Sequence, residues 1–207
     1  MKKLFLTIVT VLTISSINAQ KFGVKAGLNI ASLNITDPSR DTYDLKPKFG
    51  FSIGVFAEFD FSDKLSFQPE LLFSTQGAKV ESSSNNYSFK GIKKYNYINI
   101  PLMAKYSINR SFNIQAGPQV GFLLSADQED TFTFNGTSNT LKSDIKDFLN
   151  TLDFDVSVGF GYKMNNGLSF DGRYNLGLTK LIKEPANFGN TQEKNRVFVF
   201  SIAYLFK

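Results

Sequence analysis

The 207-residue chain contains no cysteine, no histidine and no tryptophan. Without cysteine there are no disulfides, thiolate nucleophiles, zinc–cysteine sites or lipidated N-terminal cysteine. Without histidine the commonest general base and the commonest transition-metal ligand are gone. A Ser–His hydrolytic site is therefore closed, and only carboxylate or lysine-assisted chemistry is left to an enzyme. We expect no enzyme activity, no catalytic residue, no cofactor and no metal. The overall hydropathy is slightly polar, so the composition is not that of a helical membrane protein. Helical periodicity is also scarce; a turn or two in "SDIKDFLN" (143–150) is all that suggests it.

Phenylalanine, by contrast, is abundant: 22 residues, within an aromatic share of 14%. The N-terminus "MKKLFLTIVTVLTISSINAQ" has a charged start, an apolar stretch from Leu4 to Ile14 and a small residue, Ala19, before Gln20. This pattern predicts a cleaved signal peptide over 1–19, since the apolar stretch is too short for a spanning helix. Loss of Lys2 and Lys3 leaves 21 basic against 18 acidic residues, a mild net +3. Nucleic acid is not an expected partner of an exported chain with so small an excess.

From residue 20 onward a single domain is expected, built on period-two alternation, the mark of strands. Eight alternating segments lie near 21–30, 48–61, 65–77, 95–107, 111–124, 152–164, 168–178 and 196–207. The last, "RVFVFSIAYLFK", sets Phe198, Phe200, Ile202, Tyr204 and Phe206 on one face. Short connections at 62–64, 108–110 and 165–167 alternate with long ones at 31–47, 78–94, 125–151 and 179–195. Asn166-Gly167 is the dipeptide of a tight hairpin.

The bulky face is apolar and the opposite face is rich in Gly, Ser and charge, the reverse of a soluble barrel. Small residues suit the crowded inside of an eight-stranded barrel. Segments of 10–14 residues suffice to cross a bilayer at a tilt, and closure satisfies every backbone group there. The outward residues at the short-turn end are Phe22, Phe59, Phe61, Leu65, Phe67, Tyr106, Phe112, Tyr162, Leu168, Phe170, Tyr204 and Phe206. Ten of these 12 are aromatic, the enrichment of an interfacial girdle. The fold expected is all-β: an eight-stranded antiparallel up-and-down transmembrane barrel with short periplasmic turns and long extracellular loops. Such a barrel sits in the outer membrane among its lipids. A narrow pore, a ligand-binding barrel and a soluble lipocalin-like exported barrel are the alternatives.

The pieces "GVKAGLN" (23–29), "FQPELLFSTQGAK" (67–79), "YINIPLMAKY" (97–106), "AGPQVGFLL" (116–124), "DVSVGFGY" (155–162) and "GRYNLGLT" (172–179) run in order along most strands. In them the chain resembles the PorT-like family of small outer-membrane β-barrel proteins. The resemblance implies a barrel in the Gram-negative cell envelope and no shared catalytic residues. Ile202, Tyr204 and Phe206 resemble the alternating C-terminal signature read by the outer-membrane assembly machinery, although Lys207 follows the last aromatic. That machinery and an unidentified surface or envelope protein are the partners implied.

Within the lumen, Lys25, Glu58, Glu70, Lys105, Asp171 and Arg173 fall at comparable heights above the short-turn end. Three cations and three anions are expected to pair there and fill the barrel, with Arg173 able to hold a carboxylate bidentately. Asp153 and Asp155 also face inward; a cation near the outer mouth is weighed against ordinary interior polarity, and the latter is preferred. Pro69, Pro101 and Pro118 interrupt three successive strands. A bulge or widened pairing is expected at them, relieved by interior water or side chains such as Gln68, Asn99, Gln115 or Gln119.

Overall fold

The computed structural model describes residues 20–36, 45–84, 86–183 and 192–206. The expected signal peptide and Lys207 lie outside the described residues.

Among the described residues nine strands follow one another: β1 (Gln20–Thr36), β2 (Leu45–Asp60), β3 (Leu65–Ser84), β4 (Tyr87–Ser107), β5 (Phe112–Phe134), β6 (Thr137–Asp144), β7 (Leu152–Lys163), β8 (Leu168–Gly177) and β9 (Gln192–Leu205). A 3₁₀ turn, Lys146–Phe148, stands before β7. Every pairing is antiparallel. Eight strands close a ring in the order β1-β2-β3-β4-β5-β7-β8-β9, with β9 returning to β1 from Gly23↔Leu205 to Thr36↔Gln192. The seam continues past β9, where Phe206 N–H donates to Phe22 O at 2.8 Å. No strand of the ring is left with a free edge within the wall, which is what a bilayer requires of a sheet.

Alternation decides which face is which. The outside carries half-exposed Phe22, Leu28, Phe51, Val55, Leu71 and Phe160, while the buried set includes Lys25, Asn29, Glu58, Gln68, Glu70 and Arg173. The apolar face is outward and the polar face is the core, the inverse of a soluble barrel.

The ninth strand corrects the sequence reading. The region 78–94, read as a long connection, is mostly a hairpin in which β3 and β4 continue to Ser84↔Tyr87. The region 125–151 likewise holds the end of β5 and all of β6, paired from Phe134↔Thr137 to Asp127↔Asp144. Asn135 (φ 46°) and Gly136 (φ 83°) both take left-handed backbone, the primed turn that an Asn-Gly pair supports. β6 pairs with β5 alone, so the long-connection end rises above the ring as a sheet of β3, β4, β5 and β6.

At the three prolines the register does not slip, so no bulge forms. Of the two outcomes expected, the widened pairing is the one found: Pro69 falls in a gap between β2 and β3, from Phe56↔Glu70 to Phe59↔Phe67, Pro101 in one between β3 and β4, and Pro118 in one between β4 and β5. Pairing of β3 with β4 skips from Pro69↔Leu102 to Leu72↔Asn99, and β4 with β5 from Pro101↔Gln119 to Ala104↔Ala116. Across β5 and β7, Pro118↔Val156 stays in an unbroken run. The relief expected from Gln68, Gln115 and Gln119 is not what their amides provide: each donates to a carboxylate. The register does shift elsewhere, between Pro47 and Ser52 on β2 and between Asn96 and Tyr97 on β4.

Beside Pro118, the carbonyl of Leu102 lies so near Gly117 that any Cβ there would collide with it. A carbonyl facing a proline has no N–H to receive, and the glycine lets it rest against a Cα–H instead. Gly117→Val should therefore cost about 3 kcal/mol through forced backbone displacement. Urea unfolding of the barrel in micelles measures it; an unchanged midpoint would show that the wall yields freely at this position.

Candidate functional site

The lumen holds the candidate site, in layers set by strand register. Nearest the short turns is an open vestibule of about 650 Å³ bordered by Glu58, Asp60, Lys105, Asn113 and Lys163. Its floor is ionic: Glu58 accepts from Lys105 at 3.1 Å on one oxygen and from Lys163 at 2.8 Å on the other.

Above it lies the densest cluster. Arg173 grips Glu70 with two parallel bonds, Nη1 to Oε2 at 2.9 Å and Nη2 to Oε1 at 2.6 Å. Its Nε donates to Gln115 Oε1 at 2.9 Å. Lys25 Nζ sits between Glu70 Oε1 at 2.8 Å and Asp171 Oδ2 at 2.9 Å. Gln68 joins the two halves: its Oε1 accepts from Lys105 at 2.8 Å and its Nε2 donates to Glu70 at 2.5 Å. Gln115 donates to Asp171 at 3.0 Å. All six charges singled out in the sequence are thus brought into one hydrogen-bonded chain. Lys163, Gln68 and Gln115 belong to it as well; their inward parity was the signal.

Room for these long side chains comes from glycine on the neighbouring strand. Arg173 lies opposite Gly159 and Asp171 opposite Gly161. A Cβ at those positions would fall 2.8 Å from Arg173 Cγ and 2.6 Å from Asp171 Oδ1. The Gly-rich inward face is therefore the complement of the charges. Phe56, at an inward position of β2 where the sequence led us to expect small or polar residues, packs with Ala203 and Leu205, and its ring lies 5.7 Å from Lys25 Nζ.

Toward the long connections amides, hydroxyls and two carboxylates replace the ion pairs, and the lining then becomes apolar. Asn29 donates to Ser74 Oγ at 3.0 Å, and Ser157 to Asn175 Oδ1 at 2.9 Å. Asp155 accepts from Gln119 at 2.6 Å and Asp153 from Asn195 at 2.6 Å. Over them lies a cluster of Leu33, Ala78, Tyr95, Tyr97, Leu123, Ala126, Leu149 and Leu181. Leu149 and Leu181 come from the connections, and Leu181 is fully buried. Asn150 N–H to Leu181 O at 2.7 Å, Leu181 N–H to Glu193 O at 2.8 Å and Lys183 N–H to Phe148 O at 3.0 Å hold the two segments across the mouth. Nothing in the alternation pointed to Leu149 and Leu181, because neither lies in a barrel strand.

The raised sheet is charged and aromatic. Lys94 bonds Glu129 at 2.8 Å and Lys46 bonds Glu81 at 2.5 Å. Each hydrogen bond holds its glutamate below the ordinary carboxylate range. Phe89 and Phe132 stack at 5.1 Å, and Tyr87, Phe134 and Leu141 are exposed nearby. At the opposite end of the barrel Ile202, Tyr204 and Phe206 point outward, half-exposed, with Tyr204 and Phe206 edge-to-face at 5.7 Å. Among the described residues no group of three or more acidic side chains is arranged to hold a metal ion.

A closed ring of eight strands with an apolar belt around a polar core is an integral β-barrel of a membrane. The chain belongs to the family described as outer membrane protein beta-barrel domain, whose model matches residues 18–183. It is a small outer-membrane β-barrel protein, its belt set among that membrane's lipids. Similar solved structures include Ail, the attachment invasion locus protein of Yersinia pestis, at 13% identity and TM-score 0.49, with 92% of this chain and 100% of that one covered. Neisserial surface protein A is similar at 12% identity and TM-score 0.45, covering 89% and 97%. OprG from Pseudomonas aeruginosa is similar at 14% identity and TM-score 0.43, covering 91% and 96%. No curated protein matches the chain in sequence.

Proposed function

We propose that this barrel is a closed membrane anchor that presents the β3–β6 sheet outside the cell, acting by structure and interaction and not by catalysis or transport. The observation that carries the reading is the lumen, occupied by ion pairs below and by the Leu149–Leu181 layer above. A pathway for solute would have to displace both. The raised sheet, with an edge on β6 and exposed Tyr87, Phe134 and Leu141, is the surface suited to a surface or envelope protein. The absence of histidine supports a non-enzymatic role. Residues 1–19 serve as the signal peptide, and Ile202, Tyr204 and Phe206 as the signature recognised during assembly. The motifs that resemble the PorT-like family support kinship with it and bring no shared catalytic residue.

Orientation is the experimental handle, since long connections face outward in barrels of this class. A tag inserted within 134–139 should be reached by antibody on intact cells, and one at Asn165-Asn166 only after permeabilisation. The reverse pattern would place the raised sheet in the periplasm and remove the surface role.

A further inference from the structure

Among the described residues two buried carboxylates stand without a cation partner. Lower in the lumen Glu58, Glu70 and Asp171 all have lysine or arginine partners, and nearer the mouth Glu193 has Lys93. Asp153 and Asp155 are 2% and 6% exposed, and none of the described ion pairs includes them. Each receives an amide hydrogen on its Oδ2, from Asn195 and from Gln119 respectively, both at 2.6 Å. Two negative charges so far from water demand neutralisation beyond what two amides supply.

The oxygens around them are poised for an acceptor role. Asp153 Oδ1 and Asn195 Oδ1 are both buried with no hydrogen-bond donor. The Asn195 amide is fixed, since its Nδ2 donates to Asp153 and approaches Tyr97 Oη at 3.4 Å. Glycines on the flanking strands let the neighbouring groups close in on this layer. Gly121 pairs with Asn99 on one side and with Asp153 on the other. A Cβ on Gly121 would stand 2.9 Å from Asn99 Oδ1, 3.3 Å from the Tyr97 ring and 3.5 Å from Asp153 Cβ. Across β7, Asp155 pairs with Gly177, whose own missing Cβ would run into the Asn195 backbone. A side chain is thus absent on the strand beside each aspartate.

The geometry points to a calcium site between Asp153, Asp155 and Asn195, completed by Asn99 Oδ1 and Tyr97 Oη. The donors are all oxygen, as hard cations require, and the chain has no cysteine or histidine to favour a softer metal. Two carboxylates match a divalent charge. Calcium accepts six to eight ligands in flexible geometry, which suits groups from β4, β7 and β9 better than the octahedral demand of magnesium. The ion would tie three strands together beneath the apolar layer.

Terbium, which takes the same oxygen ligands, provides the test, because it emits when a nearby tyrosine is excited and the chain has no tryptophan to compete. Residues 20–207 refolded into micelles with terbium should show tyrosine-sensitised emission that calcium displaces. Asp153→Asn with Asp155→Asn should weaken binding on the order of tenfold or more, since affinity follows the ligand charge. Asp127→Asn with Asp144→Asn, in the raised hairpin, should leave it unchanged. Heat-modifiability on gels verifies that each variant folds, and Asp155→Asn alone replaces the double variant if that does not. The proposal is overturned if the folded wild type shows no calcium-displaceable emission. It is equally overturned if emission survives without the lumen aspartates and is lost with the hairpin pair.

Discussion

Replacing Glu70 by glutamine should destabilise the barrel by about 3–5 kcal/mol, the cost of stripping one partner from a buried ion pair. The side chain keeps its shape, so packing changes little. What changes is that Arg173 and Lys25, both held on Glu70, are left to share Asp171. Two cations then face one anion in a space from which solvent is largely absent, and Coulomb repulsion adds to the lost charge-assisted bonds. Arg173→Met should cost a comparable amount, since it strands Glu70 with a single lysine and removes the bond to Gln115. The double variant should cost markedly less than the sum, because the second substitution removes the charge stranded by the first. Urea unfolding in micelles, followed by tyrosine fluorescence and by gel mobility, gives the four corners of the cycle. If Glu70→Gln shifts stability by less than about 1 kcal/mol, the value of an exposed pair, the cluster is bathed in water and the lumen is an aqueous passage.

The membrane-spanning wall was legible because lipid imposes a strict rule on every residue in it. Each outward position must be apolar and each inward one must fit a narrow core, so Phe51, Ile53 and Val55 alternate visibly with Ser52, Gly54 and Phe56. Parity alone therefore assigned Lys25, Glu58, Glu70, Lys105, Asp171 and Arg173 to the lumen, and counting residues from the short turns gave their common height. It could not distinguish Phe56 from its small neighbours, whose room is set by the partner strand rather than by the strand itself.

Above the bilayer that rule lapses. All eight residues of β6 are exposed, and Ser82, Ser83 and Ser84 end β3 with no apolar face. Strands there are held by their turns and cross-strand pairs such as Thr131–Thr140 and Thr133–Ser138, whose hydroxyls bond at 3.0 and 2.8 Å. Their periodicity is therefore invisible. The one local signal was Asn135-Gly136, the same kind of dipeptide that marked the hairpin at Asn166-Gly167, yet the polar stretch after it reads as loop composition. Leu149 and Leu181 were hidden for a different reason. Each sits beside another apolar residue, Phe148 or Ile182, in an irregular segment with no period-two alternation, and only the contact of two connections distant in sequence turns them into a lid.

A planar bilayer containing the wild-type barrel should carry no steady current. An ion entering from the short-turn vestibule first meets Glu58 between Lys105 and Lys163. It must then pass the Arg173–Glu70–Lys25–Asp171 cluster and Met103, which is fully buried. Eight strands leave an interior that side chains of this size fill. Beyond the polar middle lies the Leu149–Leu181 layer, where a hydrated ion would have to shed water among leucine and tyrosine rings. Two closures in series mean that opening one is not enough. Arg173→Ala should loosen the lower closure and leave the lid, and Leu181→Ser should perforate the lid and leave the ion pairs. Each single variant should stay silent, while the double variant should show a small, steady, voltage-insensitive leak. Single-channel recording on all four proteins, reconstituted at equal density, separates the outcomes. A leak in Arg173→Ala alone would place the whole barrier in the charge cluster. A large, stable unitary conductance in the wild type would make this a pore, with the charged residues lining its path instead of blocking it.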